Sequence, residues 1–432
     1  MHSRVRIPYG SPCKISITLR GDFYFTQLQI RDLKIFGLIF GLFEVIIRGH
    51  NVSLAQLVEQ LTLNQWVEGS NPPGDTIHQI RLLPQSFLFV FVVYNLCRGG
   101  CVKVLLTGAC GAVGHHAIPL LINQGFDVTV FELKTKKNIA QLNQYNNKAK
   151  IIYGNITDRK AVFDACRNQD AIIHLAGIIP PLADSEPKLT YEVNYEGTKN
   201  IVDAIIHNGH GFLMFASSIS VYGDRVDDYH IKVSDTIQFS QDDYYAYVKK
   251  MTEDMIIESG IEYTIFRLTA IMDTPRIDPL MFHMPLDTKI EIASARDTAR
   301  AFVSGLKKFE QLRGRIFNLG GGESCRCTYR DLLKSCFTIY GLNYKYLDEK
   351  AFADRNFHCG YYIDGDELNE IISFRQDTLE TYYNYLRGHV SFFQKQMSTI
   401  FSYFIISHLN QKSEPRIALK SNNTDLIKKY FR

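Results

Sequence analysis

The most restrictive feature of this 432-residue chain is the stretch that begins at Val102. VKVLLTG is a short apolar run suited to a buried parallel strand, and CGAVG is a glycine turn. HHAIPLLINQG then carries apolar residues at helical spacing and stops at Gly125, and a second strand follows over Asp127–Glu132. This is a βαβ unit with Gly108, Gly111 and Gly114 in the frame T-G-x-x-G-x-x-G. The first glycine permits a tight turn, the second lets backbone amides approach a pyrophosphate, and the third allows close helix–strand packing. Cys110, Ala112 and Val113 complete the cradle, which faces the N-terminus of the helix. Glu132 lies 24 residues after Gly108, where a carboxylate accepts hydrogen bonds from ribose hydroxyls and repels a 2′-phosphate. NAD is therefore the expected cofactor, with NADP second because Lys134, Lys136 and Lys137 lie just beyond.

The alternation continues with strands over 150–154 and 170–177, a helix carrying VNYEGTKN, and the strand Phe212–Ala216, which runs into SSISVYG. Such alternation predicts an α/β fold, a Rossmann-like doubly wound parallel sheet with its ligand outside the carboxyl ends of the strands. Leu175, Ala176 and Gly177 sit at one such end, where a small-residue turn leaves room for a cofactor. Ser218 lies at another, while Tyr245 and Lys249, four apart in YYAYVKK, share one helical face. Ser, Tyr and Lys suit hydride chemistry. An ammonium and a cationic nicotinamide favour the tyrosinate, the serine holds the substrate oxygen, and the tyrosine exchanges its proton. Tyr244 and Tyr247 are alternatives, but the lysine at plus four and Glu253 at plus eight select Tyr245.

TGACGAVG, HLAG, VNYEGTKN, SSISVYG and YAYVKKMTE together resemble the extended short-chain dehydrogenase/reductase family, in its NAD-dependent epimerase/dehydratase branch. The resemblance covers about Val102 to Leu386. It implies an NAD-dependent oxidoreductase or isomerase acting on a sugar nucleotide or a related hydroxy or keto substrate. It also implies a small C-terminal substrate-binding region, mainly within 268–387. Asn194 falls on the family's asparagine before the fifth strand, and Asn155 with Ile156 on its adenine-contacting pair, with Asn in place of the usual Asp. Departures bear on the substrate. Arg267 is followed by LTAIM rather than an asparagine and a Tyr-Gly-Pro turn, and Ile290 stands where many epimerases place a diphosphate-binding arginine, leaving Lys289 or Arg296 as substitutes. Ile219 and Ser220 follow Ser218 where a dehydratase often has an acid. A noncatalytic NAD-binding protein and a simple ketone/alcohol reductase are the alternatives.

The net charge is +3, but residues 102–387 are net acidic and both ends net basic, which argues against a nucleic-acid surface. The nine cysteines are odd in number and scattered, as expected of reduced thiols in the cytoplasm. Cys325, Cys327, His358 and Cys359 lack regular ligand spacing, so no metal is expected. His115 and His116 read as solvent-facing or packing residues, and Cys110 as inert loop filler, the alternative being a thiol whose pKa a helix N-terminus lowers. No apolar run in residues 1–101 reaches the length of a membrane span. Within them Ala55–Pro72 reads like a tRNA gene translated as codons, AQLVEQ matching a D arm and GSNP a T arm, so residues 1–101 are expected to be a non-native or poorly ordered extension, the alternative being an ordinary amphipathic helix with Leu54, Leu57, Val58 and Leu61 at helical spacing. The tail 388–432 reads as helical, with Phe392, Phe393, Ile400, Phe401, Phe404 and Ile405 packing on the body or forming a homodimer contact; a membrane-binding helix is the sharper alternative.

Overall fold

The computed structural model describes residues 101–240, 243–273, 279–355 and 358–431. The suspected extension, apart from Cys101, lies outside the described residues. In chain order the first half runs β1 (Lys103–Thr107), α1 (Gly114–Asn123), β2 (Asp127–Glu132), α2 (Lys136–Leu142), β3 (Lys150–Tyr153), α3 (Arg159–Cys166), β4 (Ala171–His174), α4 (Gly197–Asn208), β5 (Phe212–Ser218), β6 (His230–Ile231) and α5 (Tyr244–Glu258). The second half runs β7 (Glu262–Leu268), β8 (Ala270–Met272), β9 (Lys289–Ser294), α6 (Ala295–Gly305), β10 (Arg315–Leu319), β11 (Arg326–Thr328), α7 (Tyr329–Tyr340), β12 (Tyr361–Tyr362), α8 (Asp366–Ile372) and α9 (Leu379–His389). Four helices close the chain: α10 (Phe392–Ile400), α11 (Ser402–Gln411), α12 (Glu414–Ser421) and α13 (Thr424–Tyr430).

Seven strands make one parallel sheet in the order β3–β2–β1–β4–β5–β7–β10. The order reverses direction between β1 and β4, which opens a crevice for a ligand at the carboxyl ends of those strands. Both faces of the sheet are covered, so its strands read as apolar runs rather than alternations. In β1, Val104 and Leu106 enter the cluster that includes Ala117 and Ile118 of α1 and Phe302 of α6. Leu105 points the other way, into a cluster with Val162, Ile201, Ile205 and Ile256 from α3, α4 and α5. Local signals set the ends of the helices. Asp158 caps α3, Asp243 caps α5 by accepting from the Ala246 amide at 2.8 Å, and Gly209 at φ +71° closes α4.

A smaller sheet, β11–β9–β8, and the pair β12–β6 lie beside the large sheet, and a separate apolar cluster spans β9, α7, α9 and α11. A buried polar network ties the two regions together. Arg267 at the end of β7 donates from Nη2 to Glu253 of α5 at 2.7 Å, and from Nη1 to the Tyr222 hydroxyl at 2.8 Å. Tyr222 donates to Asn318 of β10 at 2.7 Å, and Asn318 donates to Asp364 at 2.9 Å. The Ser217 hydroxyl donates to the same Glu253 carboxylate. Glu253 and Arg267 are both almost wholly buried, so each charge depends on the other for its solvation. Glu253→Leu is therefore expected to lower unfolding free energy by about 3–5 kcal/mol, and Glu253→Leu/Arg267→Met to recover part of that loss in denaturant titrations. A double variant no more stable than the single one would overturn this account.

Candidate functional site

The glycine turn is held by contacts that no larger residue allows. Gly108 has φ +70°, and a Cβ there would lie 2.5 Å from the Ala176 amide nitrogen and 2.6 Å from the Leu175 carbonyl carbon. A Cβ on Gly114 would lie 2.2 Å from the Gly108 oxygen and 2.6 Å from the Ala109 Cα. The sequence assigned close helix–strand packing to the third glycine. Instead, Gly108 presses on the turn after β4, and Gly114 presses on the loop itself. Gly111 and Ala112 are exposed, Val113 is half-buried, and the Gly111 amide donates back to the Gly108 oxygen at 3.1 Å.

Glu132 stands at the end of β2 beside this loop. Its carboxylate accepts from the Cys110 amide at 3.0 Å and the Leu133 amide at 2.9 Å, with the Asn138 side chain at 3.3 Å. The carboxylate thus joins the strand end to the cradle. It also rules out the lowered pKa for Cys110 and leaves the thiol as loop filler. Burial, reinforced by the Glu132 charge and opposed by Lys137, pushes this thiol up to about 12. Asn155 is exposed and accepts from the Thr157 amide at 3.1 Å, which holds its own turn, whereas Ile156 is buried beneath Gly197 of α4.

Deeper in the crevice, Asn194 sits in a π-helical turn, Tyr191–Glu196, ahead of α4. It accepts from the Ile178 amide at 2.7 Å and donates to the Ile178 oxygen at 2.8 Å, pinning the turn after β4. A Cβ on Gly177 would lie 3.2 Å from the Asn194 amide oxygen and 3.9 Å from Lys249 Nζ, so these three residues converge. His174, which the sequence analysis did not single out, supports them. Its Nδ1 meets Thr107 Oγ1 at 2.7 Å and its Nε2 meets Thr198 Oγ1 at 2.9 Å. Thr198 donates onward to the Asn194 carbonyl oxygen at 2.6 Å, so a neutral imidazole protonated on Nε2 satisfies every partner. Burial first, then the Lys249 charge, pushes His174 down to about 3. A histidine inside the otherwise apolar strand AIIH was the signal.

Ser218, Tyr245 and Lys249 come together as their spacing predicts. Ser218 ends β5, while Tyr245 and Lys249 lie in the first two turns of α5. The Ser218 side chain lies beside that of Tyr245. Its Oγ accepts from the Ser220 amide at 3.1 Å. Burial holds the Tyr245 hydroxyl well above its ordinary value. Ser218 opposes that rise, while Asp243 and Asp184 add to it. The expected lowering by the lysine is absent, because Lys249 Nζ donates to the Ala216 oxygen at 2.7 Å and lies 5.8 Å from the Tyr245 ring. Burial brings Lys249 itself down to about 8, against the opposing charge of Glu253.

The remaining polar candidates do not join this site. Cys325, Cys327, His358 and Cys359 form no ligand cluster, and the seven described cysteines are free. The one potential metal-holding group among the described residues is His115, His116 and Asp273. The two imidazoles lie 4.0 and 3.7 Å from the carboxylate rather than simply facing solvent.

A glycine-cradled crevice at the switch point of a parallel sheet, with serine, tyrosine and lysine at its floor, is the arrangement of a Rossmann-like dinucleotide-binding fold. The profile of the 3-beta hydroxysteroid dehydrogenase/isomerase family matches residues 105–271. Human 3 beta-hydroxysteroid dehydrogenase type 7 is 30% identical over 122 residues, 28% of this chain and 33% of that protein. Human sterol-4-alpha-carboxylate 3-dehydrogenase, decarboxylating, is 27% identical over 203 residues, 47% of this chain and 51% of its own. The chain thus spans about a third to a half of these curated relatives. Among solved structures, UDP-N-acetylglucosamine 4-epimerase from Methanobrevibacter ruminantium M1 superposes with TM-score 0.56 at 18% identity, covering 69% of this chain and all of that one. DesIV, a dTDP-glucose 4,6-dehydratase from Streptomyces venezuelae with NAD and TYD bound, superposes with TM-score 0.55 at 19% identity over 67% of this chain and 99% of its own. Over residues 105–271 the chain is similar to the 3-beta hydroxysteroid dehydrogenase/isomerase family, and it shares its fold with solved epimerases and dehydratases of the extended short-chain dehydrogenase/reductase type.

Two outcomes test the geometry. Gly114→Ala must displace backbone, so it is expected to abolish NAD binding in calorimetric titrations. Gly388→Ala, which meets nothing within 4 Å, should leave binding intact. The folded pKa of Lys249, about 8, lies below its ordinary 10.5. Its protonated form is therefore held at a cost below pH 8, and that cost is relieved as pH rises from about 8 toward 10.5. Denaturation at pH 7.5 and pH 9.5 should show the stability of the wild type rising relative to Lys249→Met; a constant difference would refute the burial of a charged lysine.

Proposed function

We propose that this chain catalyses NAD-dependent hydride transfer between a secondary alcohol and its ketone, with Tyr245 as general acid/base. The carrying observation is the juxtaposition of the Ser218 and Tyr245 side chains, with the buried Lys249 one turn along α5, beside a glycine cradle that a single Cβ would fill. The proposed unit is 102–387, with substrate contacts mainly within 268–387 and the tail 388–432 appended. Gly108, Gly111, Gly114 and the intervening Cys110, Ala112 and Val113 would hold the pyrophosphate. Glu132 would take the adenosine ribose, Asn155 and Ile156 the adenine side, and Leu175–Gly177 with Asn194 would border the nicotinamide half. When bound, NAD supplies the hydride-accepting and hydride-donating ring.

The chain's own residues would handle the oxygen and its proton. Ser218 donates to the substrate oxygen and fixes its position. In oxidation Tyr245 takes the hydroxyl proton as the carbon-bound hydrogen departs as hydride; in reduction it returns that proton to the alkoxide. Without cofactor, burial and the Asp184 and Asp243 carboxylates keep Tyr245 protonated, which suits it as an acid. Its use as a base requires positive charge from Lys249 and from the oxidised cofactor.

The relatives named for hydroxysteroid and sterol-carboxylate dehydrogenases support an alicyclic hydroxy or keto substrate. Of the cations that could hold a diphosphate, Arg296 is committed to Asp377 at 2.9 and 3.1 Å, which supports this reading, while Ile290 is buried and Lys289 stands half-buried at the start of β9. A nucleotide sugar is the second reading, favoured by the fold neighbours named for such substrates. Tyr245→Phe is expected to lower turnover of the alcohol by about 10²–10⁴ while NAD affinity stays unchanged, read from NADH absorbance and calorimetry. Full activity in the variant would overturn the mechanism, and turnover of a UDP-sugar in preference to a 3β-hydroxysteroid would select the second reading.

A further inference from the structure

Outside the crevice, the outer face of α10 and α11 leaves Phe392, Phe393, Ile400 and Phe404 exposed, where the sequence led us to expect them packed on the body. A more specific arrangement stands at the start of α1. We infer that His115, His116 and Asp273 form a site for one divalent transition-metal cation of the zinc class. Successive residues of a helix point about 100° apart, so adjacent histidines ordinarily diverge. Here the two ring centroids lie 3.8 Å apart, and both Nε2 atoms face one carboxylate. His115 Nε2 lies 4.0 Å from Asp273 Oδ2, and His116 Nε2 lies 3.7 Å from Asp273 Oδ1. These separations are too long for hydrogen bonds, yet one ligand atom from each residue falls within 4.8 Å of the other two. A tetrahedral zinc with bonds of about 2.0–2.1 Å holds its ligand atoms about 3.4 Å apart, so small side-chain rotations close the set around one ion.

The protons point to a cation. His115 Nδ1 lies 2.9 Å from the Gly111 carbonyl oxygen, which can only accept, so Nδ1 carries the proton. The neutral ring then turns its Nε2 lone pair toward a carboxylate, which also only accepts. His116 Nε2 is buried and has no hydrogen-bond partner. A positive ion between these atoms satisfies all of them. The surroundings suit the outer shell of a metal: the Gly111 oxygen fixes the ring of His115, and the Tyr385 hydroxyl of α9 donates to Asp273 Oδ1 at 3.2 Å. Arg296, whose charge reaches His116, is neutralised by Asp377 at 2.9 Å. Two imidazoles and one carboxylate match the ligand set of a zinc that keeps its fourth position for water. Such an ion would tie the first turn of α1, and through Gly111 the glycine loop, to the end of β8 and to α9. It uses none of the side chains assigned to hydride transfer, so it stands apart from that reading. Adjacent histidines carry no ligand spacing of their own, which is why they read as packing residues in the sequence.

Titration of the full chain with cobalt(II), after stripping with a chelator, tests this. One equivalent should bind with visible ligand-field bands and without the near-ultraviolet charge-transfer band of a cysteine ligand, and zinc should displace it. His116→Ala and Asp273→Asn should each weaken cobalt binding about a hundredfold or more, and Tyr385→Phe about tenfold. Cys325→Ser/Cys327→Ser should bind as the wild type does. Zinc should raise the unfolding midpoint of the wild type and leave that of Asp273→Asn unmoved. Absence of binding by the wild type, a sulfur charge-transfer band, or undiminished binding by His116→Ala and Asp273→Asn would overturn the inference.

Discussion

The buried Glu253–Arg267 pair is the interaction around which the rest of the site is arranged. Glu253 stands two turns beyond Tyr245 on α5, and its carboxylate accepts from Ser217, the residue before Ser218. One side chain therefore ties the helix that carries Tyr245 and Lys249 to the strand that carries Ser218. Arg267 extends the tie through Tyr222 and Asn318 toward Asp364 in the C-terminal region. A partly satisfied network of this kind would be costly at low dielectric, so its members hold one geometry or none.

The same low dielectric sets the protonation states in the crevice. Burial drives His174 and Lys249 down and Tyr245 up, each toward its neutral form. His174 is satisfied as a neutral relay between two threonines, which suits a structural support for Asn194. Lys249 and Tyr245 are neighbours whose charges would stabilise each other, yet in this geometry the ammonium is turned to a backbone oxygen. The protein alone thus leaves the tyrosine a phenol.

Much of the nucleotide half was legible from residue order. The βαβ unit, Glu132 at the end of β2, and the four-residue separation of Tyr245 and Lys249 are local patterns, and local patterns follow from the periods of strand and helix. Less was legible where contacts are distant in sequence. Nothing in the spacing of Ser217, Glu253 and Arg267 shows that they share one carboxylate, or that Cys110 would sit against Glu132 and hold its proton. Arg296 looked available for a diphosphate until the fold brought Asp377 to it.

The sequence by itself determined the alternation of strands and helices, the glycine cradle and the residue types at the floor of the crevice, because each depends on neighbours a few positions away. Tertiary structure decided which glycine touches which backbone, which cations remain uncommitted, and which way the aromatic residues of the tail face. Those outcomes depend on packing between segments separated by tens to hundreds of residues, and helical spacing alone cannot tell a face that is buried from one that is left open.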